Sequence, residues 1–463
     1  MSRFASRPKR FAAFTSSLAL AGAVLVGCGV AADDTSTTAA GSAVTVSSVA
    51  STTSDSDTAV TASSVASTTS DSDTAGSGDS ASTTSASTST TSATSTTSTT
   101  STTSTDTHYD DDDLTWEASE EVAVTLADGA SSGDGVTVDG DTVTITSGGV
   151  YRISGTLSDG QLVVAAPDDE TVVLILDGVS ITNADGTAVA ITSADEVTVY
   201  LEDGTTNVLA DGSNYTVADD ATPVAALASA SDLTIAGSGT LDVTGNAGDG
   251  ISTKDGLVIA SGTVTVTAAD DGIRGKDYVY VLDGTLSVTS GGDAVKSDNA
   301  EEEDRGWVRI DGGTLSIEAG DDGVHSERAL DITGGTVTVT QSVEGIESQT
   351  ITISGGTVEV TASDDGINAT AINGVTGGTE SDDGSLLTIS GGTVTVNAGQ
   401  DGIDSNGSVA LTGGTITITS ASGGGTGAVD ANGQVTLTDA TVTANGTQVT
   451  SADQLAMSHG GGR

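Results

Sequence analysis

Apolar and polar residues alternate with a period of two through most of the chain beyond residue 120, in short runs closed by glycine. In Leu330-Asp-Ile332-Thr-Gly-Gly-Thr-Val337-Thr-Val339-Thr, followed by Glu344-Gly345-Ile346, the residues Leu330, Ile332, Val337, Val339 and Ile346 point one way. Asp331, Thr336, Thr338 and Thr340 point the other, which is the signature of half-buried strands. The marker Gly-Thr-(Val/Leu/Ile)-x-(Val/Ile) begins at Gly239, Gly262, Gly284, Gly313, Gly335, Gly356, Gly392 and Gly414, at intervals of 23, 22, 29, 22, 21, 36 and 22. The two long intervals hold insertions at 298–305 and roughly 369–384. Three strands in each period of about 22 residues, with no helical pattern between them, predict an all-β fold: a parallel β-helix solenoid. A propeller blade would need about 40 residues. Coils stacked about 4.8 Å apart make the regular part, 230–447, a rod of about 40 Å. Residues 108–229 carry looser versions, such as Thr142–Thr146 and Val172–Leu176, and predict a cap with irregular coils.

The ends read differently. Met1–Arg10 is basic and leads into an apolar run, Leu18–Val26, too short for a spanning helix. It closes on Leu25-Val26-Gly27-Cys28, which is similar to a bacterial lipobox, so residues 1–28 are expected to be a lipoprotein signal with Cys28 as the lipidated residue. Residues 29–107 repeat a Ser/Thr/Asp motif at 47–59 and 63–75, and 24 of the 28 residues from Ser80 to Thr107 are Ser or Thr. Such a segment cannot bury a core and is expected to be a disordered tether. A disordered tail is expected over 448–463. The chain is therefore expected outside the cytoplasm, held to the membrane only by its lipid.

Charge narrows the partners. Asp and Glu number 65 against 13 Lys and Arg, a net charge of −52. Four of the bases lie in the leader; without them the balance is 9 − 65 = −56. That field repels phosphate backbones, so nucleic acid is excluded as a partner. A single Cys rules out a disulfide framework or a thiolate metal site.

The repeat also sets acids in register. The turn after the marker strand reads Gly248-Asp249, Asp270-Asp271, Gly292-Asp293, Asp321-Asp322, Val343-Glu344, Asp364-Asp365 and Gln400-Asp401, and in every copy a small residue and an Ile or Val follow. Asp-Gly suits a turn by itself. Six or seven carboxylates in register need more, because unit charges about 5 Å apart repel by roughly 3 kcal/mol at an effective dielectric of 20. Such a column must raise its pKa values or hold cations. An oxygen-only donor set suits Ca²⁺, which makes Asp270, Asp271, Asp293, Asp298, Asp321, Asp322, Glu344, Asp364, Asp365 and Asp401 the candidate metal ligands. Seven of the nine bases beyond the leader lie between 254 and 328. Either they bridge to the same acids, or Arg274, Lys276 and Lys296, with Trp307 as a stacking surface, form a face for an anionic sugar.

The stretches Gly149–Val164, Leu176–Ile181, Asp270-Asp-Gly-Ile-Arg-Gly-Lys-Asp277 and Gly292-Asp-Ala-Val-Lys-Ser-Asp-Asn299 resemble the bacterial family of carbohydrate-binding domain-containing proteins. The resemblance covers about 120–420. It implies a right-handed parallel β-helix whose coils bind Ca²⁺ in the manner of family 9 pectate lyases, on a secreted lipoprotein that binds plant cell-wall polysaccharide, polygalacturonate or cellulose. It favours Asp270, Asp271, Asp293, Asp298, Asp321 and Asp322 as metal ligands. The chain departs from the family pattern at Gly292, Glu344 and Gln400.

The leading expectation is a monomeric, non-catalytic, calcium-dependent module for acidic or neutral cell-wall polysaccharide. Two alternatives stand beside it. One is a polysaccharide lyase, with Ca²⁺ acidifying the proton α to a uronate carboxylate and one of the stacked Lys254 and Lys276 removing it. The other is an adhesive or ice-binding rod built on outward threonines such as Thr263/Thr265 and Thr336/Thr338, in an array that Ser316, Glu318 and Glu359 interrupt.

Overall fold

The computed structural model describes residues 106–215, 217, 222–372, 381–421 and 426–456. The leader, Cys28 and nearly all of the tether lie outside the described residues.

The strands stack coil on coil in three parallel ladders, as the alternation requires. The first runs through Thr240–Gly245, Thr263–Ala268, Thr285–Ser290, Thr314–Glu318, Thr336–Gln341, Thr357–Ala362, Thr393–Ala398, Thr415–Thr419 and Thr441–Ala444. Its inward positions Val264, Leu286, Leu315, Val337, Val358, Val394 and Ile416 are all buried and lie in register. Each such aliphatic chain taken from water stabilises by about 1.5–3 kcal/mol, offset by the ordering of its backbone at about 1–2 kcal/mol per residue. The first outward position of each strand forms an unbroken column of threonine from Thr206 to Thr441, while the second is interrupted by Asp242, Ser287, Ser316 and Glu359. The second ladder begins each time just after the acidic turn: Asp249–Thr253, Ile273–Gly275, Val295–Ser297, then the starts of Val324–Ile332 and Ile346–Ile353, then Ile367–Ala369 and Ile403–Ser405. The third holds Gly256–Ile259, Tyr278–Val281, Trp307–Ile310 and their successors to Val435–Leu437.

Antiparallel pairing occurs, among the described residues, only near the two ends. Glu121–Ala127 pairs with Ser132–Gly133, and Val136–Asp139 with Thr142–Ile145, before the parallel coils become regular. At the other end Thr447–Val449 turns back on Thr441–Ala444, and a short helix, Ala452–Ala456, follows. Part of the segment expected to be a disordered tail is thus a cap. The reason is Leu455, buried against the last coil, whose core would otherwise face water.

No Phe occurs beyond the leader, and six of the eight Trp and Tyr residues there gather in one patch. Tyr278 and Trp307 stack with centroids 4.6 Å apart and planes 6° apart, while Tyr280 meets Trp307 edge-on. The chain segment that leads out of the tether crosses this patch as a strap. Its His108 bonds the Tyr278 hydroxyl (2.6 Å) and Thr234 Oγ1 (2.8 Å), and lies 3.1 Å from Asp232. Tyr109 and Leu114 pack on the cluster, and Trp116 meets Tyr200 edge-on at 5.0 Å. Trp307 is therefore 2 % exposed and its ring is covered by protein. The expected sugar-stacking surface at Trp307 does not exist; the ring is a packing residue under the strap.

The strap's turn, Asp111–Leu114, packs on the strand Glu196–Leu201. Burial, with Asp113 adding to it, pushes the Glu196 carboxyl up to about 7 from its ordinary 4.5, against the opposing effect of His108. A carboxyl raised in this way favours the folded arrangement below its unfolded value, and that stabilisation is lost as pH climbs through about 7. The amides of 108–116 are expected to exchange more slowly at pH 5 than at pH 7.5 after correction for intrinsic rates, and Glu196→Gln is expected to flatten the difference. Equal corrected protection at both pH values would contradict this.

Candidate functional site

The acidic turns stack into one column: Asp249, Asp271, Asp293, Asp322, Glu344, Asp365 and Asp401. The first four are buried and the last three half-buried. At four of the six steps the coil's backbone uses the carboxylate beneath it. The Asp271 N–H donates to Asp249 Oδ1 (3.3 Å), Asp293 N–H to Asp271 Oδ1 (3.0 Å), Asp322 N–H to Asp293 Oδ1 (2.9 Å), and Asp401 N–H to Asp365 Oδ1 (2.8 Å). The column thus stitches coil to coil, because the turn amide would otherwise lack a partner. The preceding acids do not join it. Asp270 and Asp321 are exposed, since neighbouring residues in an extended turn project to opposite sides. At Asp270-Asp271 and Asp321-Asp322 the two carboxyls thus part, while Asp364 and Asp365 are both half-buried.

One residue past each turn Ile or Val lies a second column, in strict register: Ser252, Arg274, Lys296, His325, Glu347, Asn368 and Asp404. Its first half supplies cations to the acids. Arg274 reaches Asp298 (2.5 Å) and Asp249 (3.7 Å). Lys296 sits between Asp293 (2.8 Å) and Asp271 (3.1 Å). His325 reaches Asp322 (3.1 Å) and Glu347 (3.4 Å). Burial opposes each charge, but the carboxylates outweigh it: Lys296 is held well above the usual lysine range, and His325 is pushed up to about 10. Bridging to the acids, one of the two roles expected for these bases, is what Arg274 and Lys296 do. Arg305 and Arg309 likewise pair with Asp277 and Asp311. Exposed Lys254 and half-buried Lys276 make no ion pair with a described residue.

Past Glu347, which His325 still reaches, the column has no such supply, since no Lys, Arg or His occurs between Arg328 and His459. Burial raises Glu344 to about 8, with Glu347 adding to it, and raises Asp365 to about 6, with Asp401 and Asp364 adding. Asp404 is raised to about 7 by burial and by Asp365, Asp430 and Asp401. Two groups bring ligand atoms within 4.8 Å of one another: Asp293, Asp322 and His325, and Asp322, Glu344 and Glu347. A groove of about 210 Å³ lies alongside, lined by His325, Glu327, Glu347, Ser348 and Thr370 among others. It is smaller than the roughly 300–1,000 Å³ pockets that enclose whole small molecules.

Glu347 and Asp404 stand out in the sequence only as further acids after the turns, outside the candidate ligands, and His325 and Asn368 do not stand out there at all. Their common signal is the position directly after the turn Ile or Val, the same one that Arg274 and Lys296 occupy. His325 is also one of only three histidines in the chain.

Comparison with known proteins gives this site a setting. Residues 139–386 match the profile of the carbohydrate-binding domain-containing proteins, over more than half of the chain. The chain belongs to that family. A member from Acetivibrio thermocellus, a carbohydrate-binding domain-containing protein, is 38 % identical over 224 residues, which is 48 % of this chain and 78 % of that protein. A solved structure of a polysaccharide lyase-like protein from C. thermocellum, a gadolinium derivative, is 34 % identical over 52 % of this chain and 94 % of that one, with a TM-score of 0.46. Family membership makes carbohydrate the kind of partner, and the matched range contains the acidic turns from Asp249 to Asp365 and every ion pair of the second column.

Proposed function

We propose that this protein binds an acidic cell-wall polysaccharide, a polyuronate such as polygalacturonate, by sharing calcium between its own carboxylates and those of the sugar, and that a lipid on Cys28 and the tether hold it at the cell surface. The observation that carries this reading is the register of the carboxylate column with too few cations beside it. A chain of net charge −52 repels a polyanion unless a cation bridges them. The donors are carboxylate and amide oxygens, the set that suits calcium. Lys254 and Lys276, outside the internal ion pairs, would add direct contacts to uronate carboxylates. Lys296 is unsuited to remove a proton, because Asp271 and Asp293 hold it in its ammonium form.

The test is calorimetry of the full-length protein with oligogalacturonate, in calcium and then in excess chelator. Saturable binding in calcium, lost in chelator, is expected. Equal binding in both, or none in either, would overturn the reading. Accumulation of an unsaturated, ultraviolet-absorbing product in the calcium sample would replace it with the lyase.

A further inference from the structure

Strand positions on the outside of a solenoid wall face water and need no apolar side chain. Over a few coils of the third ladder they carry one. Ala236, Val258, Ala260, Tyr278 and Trp307 are buried, yet they form a cluster separate from the core. They alternate with Ile235, Leu257, Ile259, Val279 and Val308, which fill the inside, so the cluster lies on the outer surface of the wall. Farther along, the columns that begin at Tyr278 and Tyr280 turn mainly polar, through Asp331, Thr350, Thr352, Thr388 and Ser408. The strap covers the patch without joining the sheet: it holds no strand, and its one regular element is the turn Asp111–Leu114. His108 anchors it to the Tyr278 hydroxyl, Thr234 and Asp232, and Tyr109 and Leu114 supply apolar cover. The fit is incomplete. The Trp307 indole N–H is buried and has no hydrogen-bond partner among the described residues, which costs about 1–3 kcal/mol. The family match, 139–386, takes in this whole wall and leaves the strap out.

We propose that this aromatic patch is a second carbohydrate site, for a neutral glycan chain, and that the docked strap holds it closed. An apolar wall with a few hydrogen-bonding groups is the make-up of a small-molecule site. Sugar rings would bring their C–H faces to the wall and their hydroxyls to the Tyr278 hydroxyl and Thr234 Oγ1, which His108 gives up when the strap lifts. A sugar oxygen also supplies the acceptor that the Trp307 N–H lacks. The glycan is neutral because Glu196 and Asp232 stand in register on adjacent coils of the same wall and would repel a uronate. Sugar and strap compete for one surface, so the apparent affinity is the intrinsic one reduced to the fraction of molecules with the strap lifted. Damage to the strap therefore strengthens binding, the opposite of what the loss of a ligand-binding residue does. No carboxylate of the acidic column takes part, and the proposal stands apart from the calcium reading.

The test is made in excess chelator, so that calcium-bridged uronate binding plays no part, on the full-length protein carrying Trp116→Phe, which leaves Trp307 as its only tryptophan. Cellohexaose is titrated into this protein and into the same protein with His108→Ala and Leu114→Ser added, and Trp307 fluorescence is followed. Loosening the strap is expected to tighten cellohexaose binding at least tenfold and, without sugar, to expose Trp307 to quenching by acrylamide. A synthetic peptide of residues 106–116 is expected to compete with the sugar. Equal affinity in the two proteins, or no binding in a loosened protein whose circular dichroism still reports the solenoid, would overturn the proposal. Self-association of the loosened protein that shuts out the sugar would overturn it as well, and would make a second copy the occupant of the patch. Because the loosened variant can fail to fold, hydrogen exchange of 108–116 in the wild type gives an independent readout. Faster exchange in millimolar cellohexaose supports the competition, and unchanged or slower exchange refutes it.

Discussion

Lys296→Met is expected to destabilise the protein by about 3 kcal/mol, the lower end of the cost of stranding a buried charge. Asp271 and Asp293 are each 5 % exposed, and Lys296 is the cation between them, at 3.1 and 2.8 Å. Methionine keeps much of the length and packing of the stem but leaves two stacked carboxylates facing each other in a poorly solvated turn. The lower end applies because the Lys296 side chain keeps about a quarter of its surface in solvent, at 26 %. The loss would be read as a shift in the denaturant midpoint at pH 7 in chelator. Two controls separate charge from packing. Asp271→Asn in the Lys296→Met background is expected to recover part of the loss, since one negative charge is gone, and millimolar calcium is expected to recover part of it by replacing the ammonium. A Lys296→Met protein as stable as wild type, unmoved by either change, would show that the turn acids are solvated well enough to need no partner.

Gly366→Val is expected to cost a similar amount, about 3 kcal/mol, the upper end of typical overpacking. The glycine after each turn acid looks, in sequence, like a turn glycine. In the structure Gly250, Gly272, Gly323, Gly345, Gly366 and Gly402 do not have the left-handed backbone that would require glycine. They are small because of what lies inside. A Cβ at Gly366 would stand 2.1 Å from Val396 Cγ1 and 2.6 Å from the Gly402 carbonyl oxygen, and one at Gly345 would meet Val360 Cγ1 at 2.1 Å. The next coil's inward valine occupies the space a side chain would need. Ala294 fills the equivalent place in its own coil, so a methyl can be accommodated there, and Gly366→Ala is expected to cost nearer 1 kcal/mol. A valine has to push Val396 and the Gly402 strand outward, which damages two coil interfaces in a solenoid whose stability is the sum of such interfaces. Denaturant unfolding of the three proteins checks the order, and a Gly366→Val midpoint equal to wild type would refute the crowding argument. The marker glycines Gly262, Gly284, Gly313, Gly335, Gly356, Gly392 and Gly414 are a different case: all have positive φ, from 73° to 118°, as a turn glycine should.

The solenoid was legible in the residues because stacking makes each coil repeat its neighbour's needs. Inward Val, Ile and Leu recur at fixed offsets from the Gly-Thr marker, and Leu330, Ile332, Val337, Val339 and Ile346 all face the core as their alternation implies. The turn acids were legible for the same reason. Three things were decided only by the tertiary structure. Which acid of each Asp-Asp pair turns inward depends on which one meets the next coil's amide, a contact 22 to 36 residues away in sequence. Whether a base is available to a ligand depends on what it already touches: Arg274 and Lys296 are consumed by the column, and Lys254 and Lys276 are not, although all four stand in the same stretch of chain. Trp307 is covered because a strap from nearly 200 residues earlier folds over it, and no local pattern around Trp307 could announce that. Period and composition report what each coil needs by itself. Pairing between distant residues is set by register and by the path of the chain, so the fold was written along the sequence and the division of charge at the site was settled only when the coils stacked.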